Sequence, residues 1–437
     1  MAKAKSKFFS FSFGCRVNEA EKEEIDRKMT QNGFSFNKDH PDVFIINTCS
    51  VTHKAEREAR QMVYQVKKGL PEAKIVVTGC SATYWLKHDL YKKLPVDMVI
   101  DNVNKEYLVD LIQKRFNLTS KHPQKLPPKK TNKFIGSGRV MVKIQDGCQR
   151  YCTFCIVPYL RGMPKSETIN NLELKIKGFE GTAKEVVLTA INTQAFGYDT
   201  KESFVDLLKD IIDKTSIPRI SLGSIHPWSL TDDFYNFYIN YLPKNRLVNF
   251  FHVPLQSGSN KMLILMKRGY RREEMLDNLK KIEKINPFAL LATDVIVGFL
   301  EETEADFKET YQFLDQSPIS KFHVFRFSKR AKTQADYMSK RLKEPSAEEK
   351  QKWAESLIKL SEKKYQEFMK KNVDRISTVL FLEKTVNGYR EGLLDNQLPI
   401  WVAAKGLRTT SEVIQAGNIR SVKVMEFKKG RLFGKIV

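Results

Sequence analysis

The chain has 437 residues, of which 41% are hydrophobic, and this is the length and apolar content of a globular protein with more than one domain. No apolar run is long enough to span a bilayer, and the basic N-terminal stretch lacks the apolar core and cleavage site of a signal peptide. We therefore expect a cytoplasmic protein with no membrane partner. The net charge of +23 favours a polyanionic partner such as nucleic acid, although a solubilising surface would also explain a charge that is spread along the chain.

Residues 1–118 alternate strand-like and helix-like runs, which predicts a parallel α/β sheet. Three strand-like runs end in a cysteine that precedes a helix-like run: FFSFSFGC at Cys15, DVFIINTC at Cys49 and KIVVTGC at Cys80. Because the carboxyl ends of parallel strands share one edge of a sheet, these thiols are predicted to converge. Helix N-termini behind them would favour thiolates and an anionic metal cluster, whereas three unrelated buried cysteines are the alternative.

Residues 119–133, TSKHPQKLPPKKTNK, are rich in Pro and Lys without apolar periodicity and are interpreted as an inter-domain linker. Residues 134–343 then contain six short apolar runs, each followed by a turn and a helical pattern. The runs are RVMVKI, EVVLTA, RISLGS, FFHVPL, ATDVIVGF and KFHVFRF. Strands that alternate with helices indicate parallel βαβ units, and six of them predict a partial (β/α)6 barrel in an α/β protein.

A cysteine motif, DGCQRYCTFC, follows the first of these runs and gives Cys148, Cys152 and Cys155 a C-x₃-C-x₂-C spacing. Three thiolates on one loop can hold three irons of a [4Fe–4S] cube and leave the fourth iron open to a small ligand. Structural zinc needs four ligands, and this loop has no fourth Cys or His. In a long chain expected in the cytoplasm, six cysteines favour metal or thiol chemistry over disulfides.

Residues 344–372 are interpreted as one amphipathic connecting helix that begins near Ser346. Residues 373–437 change to short β-rich runs between Gly and Asn turns, which predicts a small β-barrel of a kind that binds RNA. Trp401 and Phe427 offer faces for base stacking, although each alone is more typical of a core. The cations of this segment are Lys405, Arg408, Arg420, Lys423, Lys428, Lys429 and Arg431.

The cysteine loop resembles that of the radical-SAM superfamily. The resemblance implies that the open iron binds the amino and carboxylate groups of S-adenosylmethionine (SAM), whose sulfonium bond is broken to give a 5′-deoxyadenosyl radical. Phe154 lies between the last two cysteines, where the superfamily usually has an aromatic residue near the adenine. Packing against the barrel mouth is the alternative role for this side chain.

The sequences GCRVNEAE, NTCSVTHKAERE and TGC, together with the cysteine loop, are similar to the methylthiotransferase family over nearly the full chain. VPYLRG, HVPLQSGS, TDVIVGF and HVFRFS resemble further motifs of that family. The resemblance implies a flavodoxin-like N-terminal domain, a radical-SAM barrel and a C-terminal TRAM-like RNA-binding barrel. It also implies two [4Fe–4S] clusters, one held by Cys148, Cys152 and Cys155 for SAM, and an auxiliary one for sulfur insertion held by Cys15, Cys49 and Cys80.

GCRVN most resembles the branch of the family that acts on threonylcarbamoyladenosine in tRNA. The isopentenyladenosine branch more often has GCQMN, and the ribosomal-protein branch has GCPKN. The resemblance thus implies methylthiolation of C2 of N6-threonylcarbamoyladenosine next to the anticodon, with tRNA, a sulfur donor and an electron donor such as flavodoxin or ferredoxin as partners. The alternatives are isopentenyladenosine in tRNA, a ribosomal-protein aspartate, and a catalytically silent iron–sulfur RNA-binding protein.

The chain departs from the family pattern at three positions where glycine is usual: Ala190 in LTAIN, Glu301 in GFLEET and Lys332 in SKRAKTQA. Glycine at a strand end often permits close approach of the backbone to a ligand. Its loss at Ala190 would crowd the methionine end of the SAM site, and ordinary drift is the alternative.

Polar residues at the ends of other strands are candidate SAM contacts. Asn192, Ser224 and Gln256 end strand-like runs at the predicted barrel mouth, together with His252. Asp294 enters an apolar run and needs a partner if it is buried. A structural hydrogen bond is the alternative for each of these side chains, and no single catalytic residue is predicted.

Overall fold

The computed structural model describes residues 6–118, 138–404 and 414–437. The predicted linker, 119–133, lies outside the described residues, as do the C-terminal cations Lys405 and Arg408. Within the described part of the chain, no helix is long and apolar enough to cross a membrane.

The N-terminal unit is a five-stranded sheet in which every neighbouring pair of strands is parallel. Its strands are β1 (Lys7–Ser12), β2 (Ser35–Phe36), β3 (Val43–Thr48), β4 (Lys74–Gly79) and β5 (Met98–Val99). Its helices are α1 (Arg16–Gln31), α2 (His53–Gly69), α3 (Cys80–Lys87) and α4 (Leu108–Phe116). The order β2-β1-β3-β4-β5 is that of flavodoxin-like doubly wound sheets, in which ligands bind at the carboxyl edge.

The central strand β3 explains why this sheet is covered on both faces. All six residues of its VFIINT run are buried, as expected for a parallel strand between two helical layers. Ile45 packs with residues of α1 and α4 on one face, and Ile46 packs with residues of α2 and α3 on the other.

The middle unit contains strands at all six predicted runs. Its strands are β6 (Arg139–Asp146), β7 (Lys165–Ser166), β8 (Glu185–Ala190), β9 (Arg219–Leu222), β10 (Phe250–His252), β11 (Leu290–Val297) and β12 (Lys321–Arg326). Its helices are α5 (Val157–Arg161), α6 (Ile169–Lys177), α7 (Phe204–Lys214), α8 (Asp232–Tyr241), α9 (Asn260–Leu265), α10 (Arg272–Ile285), α11 (Glu304–Gln316) and α12 (Gln334–Met338).

The six parallel strands fall into two hydrogen-bonded groups, β6-β8-β9 and β10-β11-β12. An isolated bridge between Ile220 and Leu247, and a bond from Ile225 N–H to the His252 carbonyl at 2.9 Å, connect the groups. The short antiparallel strand β7 beside β6 was not predicted, because two residues carry no periodicity. The arrangement is an open α/β sheet with one continuous core rather than a closed eight-stranded ring.

A long helix and a closed β-barrel complete the chain. Helix α13 (Ala347–Lys371) begins at Ser346, whose hydroxyl and the Glu349 carboxylate form a capping box. The barrel has the order β13-β14-β15-β17-β16, with Val379, Phe381, Ile400 and Val422 in its core. Its strands are β13 (Ile376–Val386), β14 (Tyr389–Leu393), β15 (Pro399–Ala403), β16 (Ile419–Lys428) and β17 (Arg431–Ile436).

The C-terminal barrel lies against the amino ends of the middle strands. The buried Arg219 guanidinium, at the start of β9, donates to the carbonyls of Leu393 and Leu394 at 3.1 and 2.8 Å. The Gln397 amide donates to the Glu185 carboxylate at the start of β8 at 2.8 Å. The cysteine loop follows the carboxyl end of β6 and therefore lies at the opposite end of the middle sheet.

Candidate iron–sulfur and nucleoside site

The cysteine loop begins in a tight turn after β6. Gly147 has a φ of +72°, and a Cβ at this position would lie 2.1 Å from the Met163 carbonyl oxygen, so only glycine fits. The turn is closed by a bond from Cys148 N–H to the Gly162 carbonyl at 3.0 Å. A further bond from Cys155 N–H to the Cys152 carbonyl, at 2.9 Å, folds the three cysteines onto one side of the loop.

Thr153 anchors the loop from two directions. Its N–H donates to the Met266 carbonyl at 3.2 Å and its hydroxyl donates to the Leu265 carbonyl at 2.9 Å. Its own carbonyl accepts from Ala335 N–H in α12 at 2.8 Å. Because α9 and α12 hold the middle of the loop, the fold of the middle unit fixes the spacing of its thiols.

The other three cysteines lie at the carboxyl ends of three adjacent strands, as predicted. Cys15 precedes α1, Cys49 follows β3, and Cys80 is the first residue of α3 after β4. Gly14 has a φ of +92°, and a Cβ on it would lie 2.4 Å from Cys49 Sγ, so the turn that carries Cys15 closes directly onto Cys49. Cys49 and Cys80 are buried, whereas Cys15 is exposed.

The thiols of each triad lie close enough to influence one another's charge. Burial and, after it, the neighbouring Cys80 and Cys15 raise the pKa of Cys49 to about 12. Burial and then the neighbouring Cys152 likewise raise the pKa of Cys155 to about 12. None of the six cysteines is in a disulfide. Such groups stay protonated thiols unless a metal displaces the protons, and each triad therefore fits the three protein ligands of a [4Fe–4S] cluster.

Each triad also has a buried guanidinium beside one sulfur, which the sequence reasoning missed. Arg161 Nε lies 3.3 Å from Cys80 Sγ, and Arg268 Nη1 lies 3.2 Å from Cys152 Sγ. Both arginines are almost fully buried. A fixed positive charge at this distance offsets the negative charge that thiolates bring into a low-dielectric site. Arg161 is part of the VPYLRG motif, which could have marked it as a functional residue. No motif was recognised around Arg268.

A charged network holds Arg161 in place and joins the N-terminal and middle units. Its guanidinium donates to Glu21 and to Asp146, each at 2.8 Å, and Lys143 and Lys105 also bind Glu21. Burial alone would raise the pKa of Glu21, but the charges of Arg161 and the two lysines lower it well below its usual range. Glu21 is therefore a buried carboxylate at neutral pH.

The segments that carry the two triads contact each other through α3 and α5. Cys80 packs with Ile156 and Leu160, which directly follow the cysteine loop. The Lys87 ammonium donates to the Tyr159 carbonyl at 2.7 Å, and the Asn102 amide donates to the Leu160 carbonyl at 3.2 Å. The short helix after one triad thus contacts the helix that begins at a cysteine of the other.

Comparisons with known proteins place this arrangement in a family. A model described as "Uncharacterized protein family UPF0004" matches residues 7–101, and one described as "Radical SAM superfamily" matches residues 142–314. Threonylcarbamoyladenosine tRNA methylthiotransferase MtaB of Aquifex aeolicus is 34% identical over 386 residues, covering 85% of this chain and 92% of that protein. The chain belongs to the radical-SAM tRNA methylthiotransferases. A tRNA-2-methylthio-N(6)-dimethylallyladenosine synthase of Natranaerobius thermophilus is 31% identical over 450 residues, covering 99% of this chain and 93% of that protein.

Solved structures share the fold at low sequence identity. The radical SAM methyltransferase TsrM of Kitasatospora setae aligns with a TM-score of 0.51 and 10% identity, covering 74% of this chain and 72% of its own. The cobalamin-dependent radical enzyme OxsB aligns with a TM-score of 0.50 and 11% identity, covering 77% of this chain but only 55% of its own. This methylthiotransferase uses SAM and [4Fe–4S] clusters, and its six cysteines supply two suitable sets of ligands.

Two of the predicted SAM contacts lie near the loop triad of the methylthiotransferase. The buried Asn192 amide lies 3.7 Å from Cys148 Sγ and receives a bond from Gln194 N–H at its oxygen. Phe154 is half-buried and packs against Met262, Met266 and other apolar side chains behind the loop. Contact of either side chain with SAM stays a prediction.

Ser224, Asp294 and Gln256 form a second group that is connected through His252 and β11. The hydroxyl of Ser224 lies 2.8 Å from His252 Nδ1, and His252 Nε2 lies 3.0 Å from Asp294 Oδ1. Asp294 therefore has the partner that its position required. Gln256, with a φ of +82°, bonds to β11 through both its N–H and its carbonyl. Their contact with SAM likewise stays a prediction.

The departures from the family glycines are of two kinds. Glu301 and Lys332 have φ values of 59° and 67°, in the left-handed region that favours glycine. Ala190 ends β8 with its side chain half-buried against the core, and it has no positive φ. The first two substitutions strain the backbone, whereas the third adds only a methyl group to a strand end.

Proposed function

We propose that this enzyme methylthiolates C2 of N6-threonylcarbamoyladenosine next to the anticodon of tRNA. Cys148, Cys152 and Cys155 hold the cluster that binds SAM, and the triad at the sheet edge holds the auxiliary cluster. The observation that supports this assignment best is the packing of Cys80 against Ile156 and Leu160, because a two-cluster reaction needs both clusters to reach one substrate atom.

The groups bound by the two triads supply a carbon-centred radical to remove the C2 hydrogen, and a sulfur and a methyl group to replace it. The chain's own residues set positions and charges. Thr153 fixes the loop to α9 and α12, and α5 fixes the distance from this loop to the sheet edge. Arg161 and Arg268 balance thiolate charge inside the protein.

Two observations support the threonylcarbamoyl substrate. The relatives that bear this activity in their names include the MtaB protein of Bacillus subtilis, which is 31% identical over 95% of this chain. The residue after Cys15 is Arg16, a cation. Of the two N6 groups considered for tRNA, threonylcarbamoyl carries a carboxylate that an arginine can bind, and isopentenyl carries none. The reaction also needs tRNA, a sulfur donor and an electron donor such as flavodoxin or ferredoxin.

The test is nucleoside mass spectrometry of tRNA from a deletion strain and from the same strain carrying the gene. We expect the 2-methylthio form of threonylcarbamoyladenosine to disappear, its precursor to accumulate, and both to return with the gene. Loss of the 2-methylthio form of isopentenyladenosine instead would contradict the substrate. Purified anaerobic protein that makes no 5′-deoxyadenosine from SAM would favour a catalytically silent iron–sulfur protein.

A further inference from the structure

A polar layer lines the inner side of strands β10, β11 and β12. Asp294 accepts from His252 Nε2 at 3.0 Å and lies 3.4 Å from His323 Nδ1, so one carboxylate links imidazoles on both neighbouring strands. Side chains two residues apart on a strand share a face, so Phe250 and Lys321 lie one step closer to the amino ends on the same side.

Arg16 enters this layer from the N-terminal unit. Its Nη1 donates to the Gly223 carbonyl at 2.6 Å, next to Ser224, and its guanidinium lies 5.7 Å from the centre of the Phe250 ring. Arg16 follows Cys15 directly and is exposed. Its side chain reaches the carboxyl end of β9 and the first residue of β10. His323 is exposed as well, so the polar layer opens to solvent beside Arg16, and this opening is called the cleft below.

Two cations, Arg16 and Lys321, lie together in the cleft. No described carboxylate forms an ion pair with Arg16 or Lys321, and no described acceptor binds Arg16 Nε or Nη2. Burial lowers the pKa of Lys321, and the charge of Arg16 lowers it further. Burial lowers the pKa of Arg16, while the charges of Glu185 and Asp294 act to raise it, but neither carboxylate forms an ion pair with it, and Asp294 Oδ1 lies beside the two histidines.

We infer that Arg16 and Lys321 bind the carboxylate of the substrate's N6 substituent, and this inference rests on the function proposed above. The geometry fits because Arg16 adjoins a ligand of one cluster while its guanidinium reaches the Gly223 carbonyl and the Phe250 ring, beside the polar layer. A base held at the cysteines would thus extend its N6 group towards the two cations. The layer of His252, Asp294 and His323 provides partners for the hydroxyl and carbamoyl groups on the way.

The same arrangement explains rejection of an apolar N6 group. An isopentenyl chain in this cleft would displace water from two cations and several polar side chains without replacing the lost hydrogen bonds. Arg16 and Lys321 would then determine specificity, and the cysteine triads would carry the reaction common to the family.

The experiment compares anticodon stem-loop RNAs that carry threonylcarbamoyladenosine, its methyl ester or isopentenyladenosine. The anaerobically reconstituted full chain is assayed as wild type, Arg16→Gln, Arg16→Lys and Lys321→Gln, with rates normalised to iron content. We expect Arg16→Gln and Lys321→Gln to lower kcat/KM for the free acid by about 10- to 100-fold and to change the rate with the ester little. Arg16→Lys should recover part of the loss.

Arg27→Gln is the matched control, because Arg27 lies on the same helix but pairs with Glu24 at 2.8 Å outside the cleft. It should leave the ratio of acid to ester unchanged. Equal losses on all three RNAs, or an unchanged acid-to-ester ratio in both Gln variants, would overturn the inference while leaving the proposed function intact. Wild-type activity on isopentenyladenosine but not on the acid would overturn both. Lys321 is remote in sequence from every cysteine, so its variant tests the inference even if Arg16→Gln loses the auxiliary cluster.

Discussion

The two cysteine triads of this methylthiotransferase reach similar geometry by opposite routes. Cys148, Cys152 and Cys155 lie on one loop, so covalent spacing brings them together before any tertiary contact forms. Cys15, Cys49 and Cys80 are separated by whole βα units and meet only because β1, β3 and β4 are adjacent in one sheet. The first triad is a local motif with tertiary anchors, and the second is a product of the fold.

Each triad is therefore sensitive to a different kind of structural change. A change in the N-terminal sheet that shifts one strand moves one ligand of the second triad relative to the others. The loop triad keeps its spacing through such a change and depends instead on the contacts of Thr153. The following predictions separate the two triads, beginning with the largest expected effect.

Replacement of the three loop cysteines by Ala should abolish SAM cleavage, because these residues hold the only cluster proposed to bind SAM. Iron should fall from about eight to about four per chain after anaerobic reconstitution. Iron analysis and chromatography of 5′-deoxyadenosine check both expectations. Zinc instead of iron in anaerobically prepared wild type would refute the assignment.

Replacement of Cys15, Cys49 and Cys80 by Ala should leave SAM cleavage in place and remove all methylthio product. The reason is that radical formation needs only the loop triad, whereas sulfur insertion needs both. Mass spectrometry of the reacted RNA is the measurement. Methylthio product at the wild-type level from this variant would show that the sheet-edge triad has no part in the reaction.

Arg161→Met should lower the free energy of unfolding by about 3–5 kcal/mol, because it removes the main partner of the buried Glu21 carboxylate and of the partly exposed Asp146 carboxylate. The urea midpoint of the apo-protein is the measurement. Arg27→Met is the control, since its partly exposed pairs with Glu23 and Glu24 contribute at most about 1 kcal/mol each. Equal midpoints for the two variants would contradict a structural role for the network.

The same variant should show a characteristic pH dependence. Burial opposes ionisation of Asp146, but Arg161 and Lys143 lower its pKa from 3.8 to about 2, so its contribution to stability is complete above pH 3.8 and is lost as the pH falls towards 2. The midpoint difference between wild type and Arg161→Met should therefore shrink as the pH falls from 5 to 2. A constant difference across that range would exclude Asp146 as its cause.

A group of exposed cations on the C-terminal barrel, distant from both triads in sequence, should affect RNA binding. Lys428, Lys429 and Arg431 are exposed at the turn between β16 and β17. Their triple replacement by Ala should weaken tRNA binding and reduce its salt dependence by roughly one unit of slope per lost phosphate contact. Affinities across a salt series test this. Identical slopes for variant and wild type would assign RNA binding to the other units.

The smallest effect is expected at the strained backbone positions. Lys332→Gly should raise the free energy of unfolding by about 0.5–1 kcal/mol, because glycine removes the left-handed strain at a φ of 67° but is more flexible when unfolded. Lys332→Ala, which keeps the strain, is the control. A Gly variant no more stable than the Ala variant would mean that the backbone is relaxed at this position.

The strands and their cysteines could be predicted because both depend on neighbouring residues. The six apolar runs of the middle unit form strands, and the three strand–cysteine–helix units of the N-terminal sheet place their thiols at one edge. Arg161 and Arg268 were missed because nothing in a sequence indicates that a guanidinium will lie beside a sulfur 81 or 116 residues away. Long-range polar pairs are properties of the folded chain.

The C-terminal barrel shows the same limit for aromatic residues. Its strands were predicted from β-rich runs, but Trp401 is 5% exposed and carries the side chains of Lys384 and Arg431 at 5.3 Å from its ring. It is therefore a core residue under two cations rather than an open face for a base. Ile400, Trp401 and Val402 are all buried, so the burial pattern of β15 does not alternate, and only the closed barrel determines which faces remain free.

The position of Arg219 has a consequence for how the protein is made. This buried guanidinium, already paired with Glu185 at 3.1 Å, takes its remaining acceptors from the carbonyls of Leu393 and Leu394. A ribosome adds the 174 residues between Arg219 and Leu393 in roughly 10–35 s. During that interval the C-terminal barrel does not yet cover the amino ends of the middle strands. The Arg219 guanidinium of the nascent chain must then bind water in place of the Leu393 and Leu394 carbonyls.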